Sequence, residues 1–415
     1  MAIKEERTLT DFQIIEGSVT SPKGFRSCGI HTGIKRYKKD LALIVSDVTA
    51  EGAGLFTTNK VCAAPVTLSR ERIREGNGVE AILVNSGNAN ACTGIRGYKD
   101  AKKMTAILGE ELTICPSKIL IASTGVIGVP LPMETIEKGI KKASKDLSYI
   151  GGNDAAEAIL TTDTGVKKIG ITTEIDGKTI TIGGMAKGSG MIDPNLATML
   201  VFLTTDVKID GRLLQKMLED SADRTYNMIT VDGDMSTNDT VFIMANGMAE
   251  NEIITEDHPD IEKFRKALDY VNEYLAKAIV LDGEGATKFI EVEAQNSKSF
   301  QEGKIIVKNI LNSNLVKTAF FGEDGNWGRI MCSIGYSDAE VDVDKIDIFL
   351  GNKKQILKIV EGGLATDYDE KELEGILKSE KLKVLVNLNI GNENVTGWGC
   401  DLSYKYVEIN GAYRS

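Results

Sequence analysis

Four continuous apolar runs limit the fold of this chain more than any other feature. They are DLALIVSDV (40–48), AILVNSG (81–87), KILIASTGVIG (118–128) and TMLVFLTTDV (198–207). Strands that are buried on both faces have such runs, whereas half-exposed strands alternate apolar and polar residues. A sheet that is buried on both faces needs covering layers. The runs therefore predict a mixed α and β fold, with sheets covered by helices.

The segments between and after these runs supply helices and a hairpin. Apolar residues recur at helical spacing in 134–147, 154–160 and 260–280. Residues 171–184 predict a hairpin with Asp176-Gly177 as its two-residue turn. After residue 295 the pattern becomes a compact alternation, with a helix predicted at 369–379 and strands at 383–391 and 401–410. We therefore expect a core over 1–290 and a smaller C-terminal α/β domain over 291–415.

Composition argues against several functional classes. The formal net charge of the 415 residues is −11 and no Lys/Arg block is long, so we expect no nucleic-acid partner. The apolar stretches are shorter than the ~20 residues of a membrane helix, and the N-terminal MAIKEERTLTDF has no signal-peptide core. The six cysteines are scattered without a C-x-x-C pair, which favours reduced thiols in the cytoplasm.

Histidine is scarce: the sequence contains two, His31 and His258. His258 lies in TEDHPDIEKF, which is typical of a solvated helix start. A serine or cysteine nucleophile that is activated by imidazole would have to use one of these two residues. The sequence therefore disfavours histidine-based catalysis.

The central segment suggests another catalytic device. The stretch KGSGMIDPN (187–195) contains two glycines and a turn signal, and a buried strand is predicted to begin at Thr198. If the bond before Thr198 were cut, this residue would carry a hydroxyl and a free α-amine. Such an amine has a pKa of about 7.7–8.0 and can act as the base for the hydroxyl. The plain alternative is a loop before a core strand, with no chemistry.

Nine segments in order resemble one enzyme family. They include NSGNANACTG (85–94), ASTGVIG (122–128) and VDGDMSTNDT (231–240), and the central GGMAKGSGMIDPNLATML (183–200) resembles the same family in addition to these nine. The chain resembles the ornithine acetyltransferase (glutamate N-acetyltransferase) family over nearly its whole length. The resemblance implies self-cleavage between Ala197 and Thr198 into an α chain (1–197) and a β chain (198–415), associated as α2β2. It also implies a sandwich of the N-terminal-nucleophile type, with the last residues returning to the active site.

The resemblance also assigns roles to individual residues. Thr198 would be the nucleophile and, through its amine, the base, while Thr124 and Gly125 would form the oxyanion hole. The implied substrate contacts, besides Thr198, are Thr161, Lys187, Glu284, Asn410 and Ser415. The family usually ends in threonine, so Ser415 is a departure that keeps the hydroxyl and the terminal carboxylate.

Two further motifs do not predict a metal or nucleotide site. The run Asp232-x-Asp234-x-Ser236 begins like a calcium loop, but it lacks the glycine at the sixth position and the glutamate at the twelfth. We interpret it as a hydrogen-bonded turn. The segment GEGATK lacks the spacing of a phosphate loop. We therefore expect no cofactor.

The implied reaction transfers the acetyl group of N-acetyl-L-ornithine to L-glutamate through an acetyl-Thr198 ester. Some family members also use acetyl-CoA, and the residues do not distinguish the two types, so this co-substrate stays open. One alternative is a related self-processing aminopeptidase or amidase that gives the acyl group to water. Another is a non-enzymatic binding protein that has kept the fold.

Overall fold

The computed structural model describes residues 11–193 and 199–412. Within these residues, nine strands form the first sheet in the order β1-β6-β7-β8-β9-β3-β4-β5, and β2 pairs with β3. Their bounds are β1 (Phe12–Ile15), β2 (Phe25–Ile30), β3 (Leu41–Phe56), β4 (Val79–Asn88), β5 (Ile119–Val126), β6 (Lys167–Ile175), β7 (Lys178–Lys187), β8 (Leu200–Thr205) and β9 (Thr240–Ala245). All four predicted apolar runs correspond to strands, namely β3, β4, β5 and β8.

The long strand β3 divides this sheet into two halves that pack face to face. Its first part pairs with β2 and β4, the register shifts between Val45 and Ala50, and its last part pairs with β9. Successive side chains of a strand point to opposite faces. Ile44 accordingly packs in one core cluster with Phe202 and Phe242 of the other half, whereas Leu43 packs against the outer helices.

Helices cover both outer faces of this sandwich. One outer layer consists of α1 (Ala64–Glu75), α2 (Gly94–Leu112) and α3 (Met133–Ala143), and the other of α5 (Gly211–Arg224) and α6 (Ile261–Leu281). The short helix α4 (Gly152–Ala158) contributes alanines to the inner core. The resulting order is helix, sheet, sheet, helix, which confirms the predicted mixed α and β class with sheets layered by helices.

A second sheet follows in the chain, with the order β13-β12-β11-β14-β10-β15. Its strands are β10 (Phe289–Ser297), β11 (Asp347–Gly351), β12 (Ile356–Glu361), β13 (Leu364–Ala365), β14 (Lys381–Asn387) and β15 (Glu393–Cys400). The helices of this part are α7 (Phe300–Asn312), α8 (Asn314–Phe321), α9 (Trp327–Gly335) and α10 (Glu370–Leu377). The predicted boundary between residues 290 and 291 lies within β10. Ile306 of α7 shares one core cluster with Val201 of β8, so the two sheets share a core.

The predicted hairpin and long helix are confirmed. Ile175 pairs with Lys178 across a turn in which Asp176 and Gly177 both have positive φ, as a type I′ turn requires. Helix α6 follows the predicted 260–280 within one residue at each end.

The strand predicted over 401–410 is wrong, because this segment forms the helix α11 (Tyr404–Ala412). Tyr404 and Val407 are 85% and 67% exposed, so their β-branched and aromatic character does not reflect a buried strand. The hydroxyl of Ser403 accepts the N–H of Lys405, which is an N-cap contact. The serine before the run was the signal for a helix.

The first sheet interleaves the two sides of the predicted cleavage point. Strands β8 and β9 lie after residue 198, and they are flanked by β7 on one side and β3 on the other, which both lie before it. Cleavage would therefore leave two chains that share one sheet. Within residues 11–193 and 199–412, no helix is long and apolar enough to cross a bilayer.

Candidate active site

A cavity of about 240 Å³ collects residues from distant parts of the sequence. Six of its lining residues are ones that the sequence predicts for the site: Thr124, Gly125, Thr161, Lys187, Glu284 and Asn410. The other lining residues are Ile127, Thr162, Gly190, Met191, Ser236, Thr237 and Asn238. A larger cavity of about 1040 Å³ is lined by residues of β3, α1 and α5 and contains none of the predicted ones.

The predicted nucleophile Thr198, the cleavage partner Ala197 and the terminal Ser415 lie outside the described residues. The described chain resumes at Met199, the residue that follows Thr198. Met199 is buried, and its carbonyl accepts the N–H of Thr240 at 3.0 Å. Leu200 then pairs with Lys187 of β7. The start of β8 is therefore fixed beside a residue that lines the cavity.

Thr124 and Gly125 lie at the end of β5, where the parallel pairing with β4 becomes irregular. Gly125 has φ +131°, and a Cβ atom there would lie 2.3 Å from the carbonyl carbon of Gly87. Only glycine fits such a backbone. The Thr124 hydroxyl has no hydrogen-bond partner among the described residues, so it is available to a bound molecule.

Lys187 brings a buried positive charge to the cavity. The residue is 5% exposed, and its ammonium makes no hydrogen bond or ion pair with any described residue. The buried carboxylates of Asp163 and Asp239 interact electrostatically with this ammonium but accept no hydrogen bond from it, so its N–H donors are available to a ligand of opposite charge. The arrangement indicates a site for a carboxylate.

Asp163 supports the chain on both sides of this ammonium. Its carboxylate accepts the N–H groups of Thr161 at 3.0 Å and Gly188 at 2.7 Å, and the ammonium of Lys167 at 2.7 Å. Burial alone would raise the pKa of Asp163, but Lys187 and Lys167 hold this pKa below its ordinary range. Asp163 is therefore ionised and fixes the backbone at two cavity residues, Thr161 and the end of β7.

Glu284 and Asn410 close another part of the cavity wall. The Asn410 amide donates to the Glu284 carboxylate at 2.8 Å, and the Glu284 N–H donates to the Ser189 carbonyl at 2.7 Å. A Cβ atom on Gly190 would lie 2.4 Å from the Glu284 carboxylate, so glycine allows this close approach. The C-terminal helix α11 therefore reaches the cavity, and Thr161 and Thr162 line it from another loop.

Sequence reasoning missed Ser236, Thr237, Asn238 and Asp239, which precede β9. Because β8 and β9 are parallel neighbours, the residues before the two strands lie at the same edge. Asp239 is 3% exposed, and its Oδ2 atom has no hydrogen-bond partner among the described residues. Burial raises the pKa of Asp239 well above its ordinary range, although nearby Lys187 opposes this. A polar run directly before a core strand was the available signal.

Both histidines make contacts away from the lining of the cavity, as far as the described residues show. His31 Nε2 lies 2.8 Å from the Lys35 carbonyl, and His258 Nε2 lies 3.2 Å from Asp176 Oδ2. The polar groups that line the cavity, beside the apolar Ile127 and Met191, are instead hydroxyls, amides, one ammonium and one carboxylate. This set suits recognition of a polar molecule and stabilisation of an oxyanion.

Comparison with known proteins adds a sequence relationship. A model of the ArgJ family matches residues 26–415. The chain is 52% identical over 403 residues to the arginine biosynthesis bifunctional protein ArgJ of Caldanaerobacter subterraneus subsp. tengcongensis, which covers 97% of this chain and 100% of that protein. It is 47% identical over 403 residues to the protein of the same name from Listeria monocytogenes, with the same coverage. A crystal structure of ArgJ from Bacillus halodurans is 48% identical, with a TM-score of 0.49 over 51% of this chain and 98% of that chain.

Proposed function

The chain belongs to the ArgJ family, and on this premise we propose that it transfers the acetyl group of N-acetyl-L-ornithine to L-glutamate. The products are L-ornithine and N-acetyl-L-glutamate, so the enzyme is an acyltransferase of arginine biosynthesis. The observation that carries the proposal is the family match over residues 26–415. The cavity supports it, because six residues implied by the resemblance meet there although up to 286 positions separate them in sequence (124 to 410).

The proposed reaction begins with self-cleavage. The Thr198 hydroxyl attacks the Ala197 carbonyl carbon, and the C–N bond breaks as the hydroxyl proton passes to the Thr198 nitrogen, which becomes a free amine. Water then opens the resulting ester and leaves the Ala197 carboxylate and the Thr198 hydroxyl. In the transfer reaction this amine takes the hydroxyl proton while the Thr198 oxygen attacks the acetyl carbonyl. The proton passes to the departing nitrogen of ornithine, and an acetyl ester remains. The α-amine of glutamate then attacks the acetyl carbon of this ester, the bond between that carbon and the Thr198 oxygen breaks, and a proton from the glutamate nitrogen returns to the Thr198 oxygen.

Thr124 and Gly125 would stabilise the negative oxygen that forms in each attack. Donors placed before the reaction need no reorganisation when the charge develops, which makes them effective. The free Thr124 hydroxyl and the unusual Gly125 backbone at the end of β5 support this role.

Donor and acceptor must use one site in turn, although ornithine ends in a cation and glutamate in an anion. Lys187 would bind the α-carboxylate that both substrates carry. Glu284, Asn410 and Thr161 would contact the more variable parts, and by the family resemblance Ser415 would be a further substrate contact. The Glu284 carboxylate suits the side-chain ammonium of ornithine. Glutamate needs water or an amide such as that of Asn410 between its side chain and Glu284.

Three further points belong to this proposal. The relatives are named bifunctional, and we propose acetyl-CoA as a second acetyl donor to glutamate, with no other cofactor. We propose that the α and β chains form an α2β2 assembly. We also propose that the enzyme acts in the cytoplasm.

The test is an initial-rate study with N-acetyl-L-ornithine and L-glutamate. A covalent relay predicts parallel double-reciprocal lines, and lines that intersect would contradict the acetyl-Thr198 ester. Product analysis with and without glutamate separates the transferase from an aminopeptidase or amidase, which would release acetate equally in both. An assay in which acetyl-CoA replaces N-acetyl-L-ornithine, with formation of N-acetyl-L-glutamate as the readout, tests the second activity.

A further inference from the structure

The segment before the predicted cleavage point, residues 187–193, is held at successive positions; we call it the upstream arm. Its first half is hydrogen-bonded to Thr162, Asp163 and Glu284. The Gly188 N–H donates to Asp163, and the Ser189 carbonyl accepts the Glu284 N–H at 2.7 Å. The Ser189 hydroxyl also lies 2.8 Å from that of Thr162. These contacts hold the part of the arm that lines the cavity.

Asp232 holds the middle of the upstream arm. Its carboxylate accepts the N–H groups of Met191 at 2.6 Å and Ile192 at 2.8 Å. The Ile192 carbonyl accepts the N–H of Val231 at 2.6 Å and the Thr230 hydroxyl at 3.0 Å. The N–H and the carbonyl of Ile192 are therefore both hydrogen-bonded, which fixes the backbone at this residue.

The last residue of the upstream arm, Asp193, bonds to a helix of the second sheet. Its carboxylate accepts hydrogen bonds from the Lys308 ammonium and, at 3.1 Å, from the Asn312 amide. The Lys308 ammonium also donates to the Ile229 carbonyl at 2.8 Å. Lys308 and Asp193 are largely buried, with side chains 16% and 22% exposed. Helix α7 therefore binds the upstream arm at Asp193, four residues before Ala197.

This ion pair is suited to fixing a position. Burial lowers the pKa of Lys308, and Asp193 opposes this shift. The cost of removing two charges from water offsets much of their attraction, so such a pair adds little net stability. It does define a single geometry, because each partner has a further hydrogen bond. A reacting bond needs its atoms within about 3–3.5 Å and aligned, and small misplacement is costly.

We propose that Lys308, together with Asn312, is a positioning residue for self-cleavage, so that the precursor cuts itself only when α7 has docked on the upstream arm. The inference rests on the proposed self-cleavage and adds the condition that triggers it. Because chains fold from the N-terminus during synthesis, the first sheet can form before residues 300–312 exist. Cleavage would then occur only after the second sheet and α7 have formed. Transfer by the cleaved enzyme does not need this contact, since Asp163 and Glu284 hold the cavity residues of the arm.

The experiment compares cleavage and turnover in full-length Lys308→Met. A pulse of synthesis is followed by a chase, and the intact chain is measured on denaturing gels. We expect cleavage to be roughly 10- to 100-fold slower than in the wild type, by analogy with the cost of a small misplacement. Acetyl transfer per cleaved chain should stay within about threefold.

Lys304→Met is the matched control. Lys304 lies one turn earlier on α7, its side chain is 17% exposed, and its ammonium lies 3.9 Å from Asp223. This variant removes a similar charge from the same helix and should cleave at the wild-type rate. The double variant Lys308→Met/Asp193→Asn removes the unpaired carboxylate that could unfold the single variant. It should melt close to the wild-type temperature and still cleave slowly.

The outcomes separate the inference from the proposed function. Wild-type cleavage rates in Lys308→Met, or in a stable double variant, overturn the inference alone. Equal slowing in Lys304→Met also overturns it, because general destabilisation would then explain the effect. An active wild-type chain that stays intact overturns self-cleavage itself and the inference with it. Slow cleavage with normal turnover supports the positioning role.

Discussion

Replacement of Thr124 by valine removes one proposed donor to the oxyanion and keeps the shape of the side chain. The Thr124 hydroxyl lines the cavity and has no partner among the described residues, so no internal hydrogen bond is lost. We expect a change in stability of no more than about 0.5 kcal/mol. Loss of one oxyanion donor raises the barrier by about 2.7–4 kcal/mol, which corresponds to roughly a 100- to 1000-fold lower kcat.

The assay must separate transfer from self-cleavage, because the same donors could serve both reactions. Turnover is therefore divided by the amount of β chain on a denaturing gel. Thr162→Val is the matched control, since its hydroxyl lines the same cavity but already contacts Ser189. Loss of the hydrogen bond between Thr162 and Ser189 should cost about 1 kcal/mol, so we expect kcat to fall by no more than roughly fivefold. A kcat for cleaved Thr124→Val within tenfold of the wild type would refute the oxyanion assignment.

Three further predictions follow from charges and thiols. Lys187→Met should lower kcat/KM for both amino-acid substrates by roughly 10- to 150-fold, the loss of a charged hydrogen bond of about 1.5–3 kcal/mol; an effect on one substrate alone would contradict binding of the shared carboxylate. Asp239 has a raised pKa, so its protonated form stabilises the fold at low pH and this contribution falls as pH rises above the ordinary carboxyl value. The Tm of Asp239→Asn relative to the wild type should therefore be higher at pH 8 than at pH 5, and a pH-independent difference would argue against a raised pKa. Hydrogen bonds with Ser117 lower the pKa of exposed Cys115, whereas burial raises the pKa of Cys28 to about 12 and also raises the pKa of buried Cys400; mass spectrometry should find Cys115 alkylated early and Cys28 and Cys400 late.

The fold was predictable where the sequence pattern was local. The buried runs, the hairpin at Asp176-Gly177 and helix α6 each depend on spacing within one segment. The segment 404–412 was misassigned because its apolar residues are exposed, and its Ser403 cap was the better guide. The pairing of β3 with both halves of the sandwich could not be predicted, since a bend in one strand depends on distant partners.

The site was predictable as far as family resemblance reached. That resemblance supplied Thr124, Gly125, Thr161, Lys187, Glu284 and Asn410, and the structure brings these six together. The resemblance did not point to Asp239 or Lys308. Asp239 is distinguished by its burial and by a carboxylate oxygen without a hydrogen-bond partner among the described residues, and Lys308 by its ion pair with the distant Asp193. A polar residue before a strand and a lysine on an amphipathic helix look ordinary in sequence. Only the packing of β9 beside β8, and of α7 against Asp193, distinguishes them.

The interleaving of β8 and β9 between β7 and β3 has a consequence for recovery after denaturation. Before cleavage, the sheet closes within one polypeptide and refolding is first order. After the proposed cleavage, two separate polypeptides must meet before a central strand can pair with its neighbours, so renaturation becomes second order and depends on concentration. The mature enzyme would therefore unfold with a strong hysteresis: once melted in dilute solution, it returns far more slowly than its precursor.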